Sequence, residues 1–100
     1  MDQKALDKLK AVATEGAAEV LHEMLGASRE DVLQIAERVV DAGLQATIEG
    51  DPMAGQIVRE QLRALANVTR IRANRALLDQ AAAVVTIVLT TVVQAALSAL

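Results

Sequence analysis

Few residues in this sequence have the chemistry to bind or react, and their spacing decides what each set offers. Glu19 and His22 stand in the order E-x-x-H, which puts two ligands on the same side of one helical turn. Di-iron helical bundles use that motif twice and add two further carboxylates projecting into the core. One chain supplies a single copy, so such a site would be shared between two chains, with an acid such as Glu37 added. On a helical wheel, however, Glu19 and His22 lie opposite the apolar residues Leu6, Leu9, Val20 and Met24. The expectation is a solvated polar face, with no metal and no other cofactor.

Arg59, Arg63 and Arg70 recur at spacings of four and seven, in one row along a helix, with Gln56, Asn67 and Asn74 nearby. A row of guanidinium groups suits phosphates on a nucleic-acid backbone. It equally suits carboxylates such as Glu37 or Asp41 on a neighbouring helix or subunit. The formal charge of −3 and the absence of Phe, Tyr and Trp remove general attraction to nucleic acid and any base-stacking platform. The row is therefore read as an electrostatic contact with protein acids, and nucleic acid as an unfavoured partner.

Thr86, Thr90, Gln94 and Ser98 recur every four residues, with Ala82 one step earlier. Small residues at this spacing let two helix backbones approach closely, and hydroxyls or an amide can bond across the contact. A period of four exceeds 3.6, so the stripe winds around the helix and suits a crossed or right-handed contact. These five positions are the expected oligomer interface. No catalytic set emerges: there is one His, no Cys, no Gly-rich phosphate loop and no nucleophile–base pair at a recognisable spacing. The expectation is a protein that is not an enzyme.

The elements that carry these residues read as helices. Asp2 is a plausible N-cap for a first helix to about residue 25, whose apolar face holds Leu6, Leu9, Ala13, Ala17, Val20 and Met24. Gly26 suits the left-handed position that ends it. Ser28, with an acid three residues on, opens a second helix over about 28–49. Val32, Ile35, Ala36, Val39, Gly43 and Ala46 form its main stripe, widened by Leu33, Val40 and Leu44, so it touches more than one neighbour. The short connections make these two helices an antiparallel hairpin. Asp51 and Pro52 then read as N-cap and first residue of a third helix.

After Gly55 the chain has neither Gly nor Pro. That favours one long helix over about 52–100 packed on the hairpin. Arg72 and Arg75 continue the stripe of Ala54, Val58 and Leu65, as though that face left the local core by residue 72. The alternative is a break near 74–79, with Asn74 or Asp79 as a cap, giving a four-helix bundle. Nine of the ten residues 84–93 are β-branched, a strand-like composition. No second run exists to pair with them, so helix is expected here too. The fold class is all-α, in a single domain over 1–100.

The stretch from Gln80 onward carries no charge. A helix apolar all round must be buried all round, in protein or in lipid. Residues 1–51 hold eleven acids and five bases, and residues 52–100 hold five Arg against Glu60 and Asp79, so the halves complement each other in charge. With 53% hydrophobic residues the chain is expected to be ordered. The N-terminal MDQKALDKLK has no apolar run before a small-residue cleavage site, so it is not read as a secretory signal.

Two functions from different classes follow. The first is a self-assembling structural or interaction protein whose partner is itself or another helical protein, a subunit of a ring, filament or virion component. Its expected place is the cytoplasm or a particle assembled there. The second is a tail-anchored or pore-forming membrane protein that uses 80–100 as its span, with the Arg run before it as a cytoplasmic flank. Five Thr, Gln or Ser among the last fifteen residues and the lack of interfacial aromatics rank it second.

Overall fold

The computed structural model describes residues 2–69 and 71–99. Four helices follow one another: α1 (Gln3–Leu25), α2 (Arg29–Ile48), α3 (Ala54–Val68) and α4 (Arg75–Ser98), with no strand among the described residues. They form an all-α bundle. Each helix packs on the next, α4 returns to α1, and α2 and α4 also meet across the diagonal, whereas α1 and α3 do not touch. The helices therefore stand at the corners of a square, in chain order.

Side-chain caps set three of the four starts. Asp2 accepts from the Ala5 amide at 2.7 Å, Ser28 from Asp31 at 3.2 Å and Asn74 from Leu77 at 2.8 Å. Gly26 ends α1 at φ +67, where a side chain would be strained. The third start differs from the expected one. Asp51 accepts from the Met53 amide at 2.9 Å and closes a turn through Pro52, so the helix begins two residues later, at Ala54.

One core joins all four helices. Leu9, Ala13, Ala17 and Leu21 enter it from α1, and Val32, Ile35, Val39, Val40 and Leu44 are among those from α2. Leu21 is fully buried, whereas Leu6, Val20 and Met24 are only half-buried. The inward face of α1 is turned toward Leu21 because the helix is wedged between α2 and α4.

The long third helix does not form: the chain breaks between Thr69 and Asn74, and α4 folds back. Thr69 is extended and Asn74 supplies the new N-cap, so the break needs neither Gly nor Pro; Asp79 caps nothing. Folding back places Leu78, Ala81, Ala82, Val85, Leu89 and Val93 in the core. Burying the four larger of these contributes on the order of 6–12 kcal/mol. Each backbone hydrogen bond given up at the break costs only about 1 kcal/mol. Arg72 and Arg75 are exposed because the stripe they extend ends with α3, not because a helix projects beyond the hairpin. The same packing holds 84–93 helical despite its β-branched composition.

Candidate functional site

The inward face of α4 is covered by its own chain; its outward face is not. Gln80, Ala83, Val84, Ile87, Thr91, Gln94, Ala95 and Ser98 are all exposed, and none carries a charge. Ile87 is 64% exposed, Leu97 47% and Val84 37%. Only 28% of the helix's most apolar stretch is buried. By length and composition it is the one helix, among the described residues, able to cross a membrane. The helix expected to be buried all round is thus buried within its own chain on one face only.

The five stripe residues separate in the fold. Ala82 is 1% exposed and belongs to the bundle's own core, so it is not available to a second molecule. Thr86 is half-buried near Gly55 of α3: a Cβ on that glycine would lie 3.6 Å from the threonine methyl. Thr90, Gln94 and Ser98 are exposed. The Thr86 hydroxyl donates to the Ala82 carbonyl at 2.8 Å, and that of Thr90 donates to the Thr86 carbonyl at 2.9 Å. Both donors are used within the helix, which leaves their oxygens as acceptors and the Gln94 amide and Ser98 hydroxyl as the stripe's donors.

Beside this face runs the seam between α4 and α1. A Cβ on Gly16 would lie 2.9 Å from a Val88 methyl, so the two backbones approach closely there. Val12, half exposed, lies one turn before Gly16 and adds apolar surface to the edge of α1.

The arginine row is only partly a row. Arg63 reaches from α3 to Asp79 on α4 through two parallel hydrogen bonds of 2.8 and 2.6 Å. This fork holds the Asp79 carboxyl below its ordinary value and raises Arg63, the hydrogen bonds being the main cause. Its partner is thus an acid later in the same half of the chain, not Glu37 or Asp41. Arg59 and Arg75 lie within electrostatic range of the same carboxylate. Arg70 lies outside the described residues.

On the opposite wall, α1 and α2 leave an open groove of about 670 Å³. Lys10 pairs there with Asp41, which raises the lysine, and Arg29 stands 3.7 Å from Glu19. His22 lines the groove, but its Nδ1–H donates to the Ala27 carbonyl at 2.7 Å. Glu19 and His22 therefore face different partners, and no cluster of three or more His or acidic residues able to hold a metal occurs among the described residues. The sequence reading missed this groove because its walls come from two helices. The signal was present in the small residues Ala11 and Ala18, whose short side chains leave the space between the walls unfilled.

Compared with protein-family models, curated proteins and solved structures, the chain matches none.

Proposed function

We propose that this protein is a non-enzymatic assembly subunit that associates with copies of itself through the outward face of α4. The observation that carries this reading is the uncharged surface around Ile87 along a helix of roughly 36 Å. Water solvates such a face poorly, and a second copy of the same face covers it in a twofold contact. Thr90, Gln94 and Ser98 keep it thin, and the Val12 edge widens it.

Sedimentation in detergent-free buffer tests the reading. The expected mass is a multiple of 10.6 kDa, and Ile87→Lys should lower it. A wild-type chain that stays monomeric and well dispersed overturns it.

A second reading has its own support in the length and composition of α4, which suffice for a membrane span. In that case the helix leaves the bundle and its inward face meets lipid. Recovery only with membranes, and extraction only by detergent, would favour this reading over the first.

A further inference from the structure

We propose that the groove between α1 and α2 receives the arginine seam between α3 and α4 of a second copy, so that copies stack front to back. The inference deepens the self-assembly reading by adding a second, unlike contact, and it rests on different residues.

The two walls lie on opposite sides of the bundle, because α1 and α2, like α3 and α4, are neighbouring corners of the square. Their charges are opposite. In the groove, Lys10 and Arg29 are taken up by Asp41 and Glu19. Asp7, Glu15 and Glu37 have no cationic partner within the pairing distance among the described residues. On the other wall Asp79 is taken up by Arg63, which leaves Arg59 and Arg75 beside it. Glu60, on α3, lies within electrostatic range of Arg63 and offsets part of the wall's positive charge, and exposed Arg72 lies just before Arg75.

The side chains lining the groove indicate what it takes. The carboxylates of Asp7, Glu15 and Glu37 are acceptors only. A guanidinium is the complementary group, with five N–H donors and no acceptor, and the small side chains of Ala11 and Ala18 leave room for its stem.

The size also fits. The bundle measures 40 × 26 × 18 Å, so one wall offers roughly 700–1,000 Å², about what each partner gives to a standard interface. A groove that binds the opposite wall of the next copy is never used up by its own contact. Such a contact closes into a ring when its rotation closes and otherwise continues as a filament.

The test uses two full-length charge-reversed proteins, each also carrying Ile87→Lys to remove the α4 face. One has Glu15→Lys and Glu37→Lys; the other has Arg59→Glu and Arg75→Glu. The parent Ile87→Lys protein should show a mass that rises with concentration at about 0.05 M salt and falls back at about 0.5 M, where the screening length is only a few Å. Each reversed protein alone should associate at least about tenfold more weakly, and an equimolar mixture should recover the parent's association. The proposal is overturned if the Ile87→Lys parent does not associate, if either reversed protein alone associates like the parent, or if the mixture of two helical, folded proteins fails to recover. Failure of the α4 reading is a separate result: Ile87→Lys then associates just as the wild type does.

Discussion

Gly43 of α2 lies under Val58 of α3: a Cβ at position 43 would stand 2.7 Å from a Val58 methyl and 3.4 Å from a Leu89 methyl. Three helices converge on that hydrogen atom. Val58 is fully buried and β-branched, so it has little freedom to turn away. Gly43→Ala gains about 1 kcal/mol of helix propensity and incurs about 1–3 kcal/mol of overpacking. The expected result is a lower urea midpoint. Gly16→Ala meets Val88 at a similar 2.9 Å, but Val88 is half-buried at an open seam and can move outward. That variant is expected to lie between no change and a gain of about 1 kcal/mol. Equal losses for the two would mean that the seam is as rigid as the core.

Thr90→Leu is expected to weaken self-association even though it makes α4 more apolar. A large side chain in a thin, fitted contact costs about 1–3 kcal/mol, once per symmetric copy. Dissociation on dilution measures this. An unchanged midpoint would remove Thr90 from the contact.

Asn74→Ala removes the cap of α4 and should cost about 0.5–2 kcal/mol by chemical denaturation. Asn74→Asp keeps an acceptor at the helix start and should restore most of it. Should the Ala variant prove as stable as wild type, the break between α3 and α4 would be held by burial alone.

The Arg63–Asp79 fork gives stability a pH dependence of known sign. The Asp79 carboxyl is depressed below its ordinary 3.8 in the folded chain. Its contribution is therefore present above 3.8 and is lost as pH falls through the lower folded value. The stability difference between wild type and Asp79→Asn should be constant from about pH 7 down to about pH 5 and shrink as pH falls through 3.8 and below. A difference that grows on acidification would contradict the pairing.

His22→Ala should cost about 0.5–1.5 kcal/mol, more than an ordinary surface change, because it removes the hydrogen bond from Nδ1 to the Ala27 carbonyl across the α1–α2 turn. No stoichiometric binding of zinc or iron is expected by titration calorimetry. Tight binding to the wild type that is lost in the variant would show a metal role that the turn geometry does not suggest.

The sequence by itself determined what depends on local chemistry. The start of α2 at Ser28, the end of α1 at Gly26 and the apolar stripe of α2 follow from capping and from the 3.6-residue period. The charge-free face of α4 is likewise legible, since composition alone places it. Tertiary structure decided between one long helix and the break for which Asn74 was a legible cap, because the gain lies in apolar area that exists only once α4 meets α1, α2 and α3. It turned α1 toward Leu21, sent Ala82 inside while leaving Thr90 outside, and chose Asp79 rather than Glu37 or Asp41 as the partner of Arg63. Each of these depends on which helices are neighbours, and that follows from burial summed over the whole bundle rather than from any spacing along the chain.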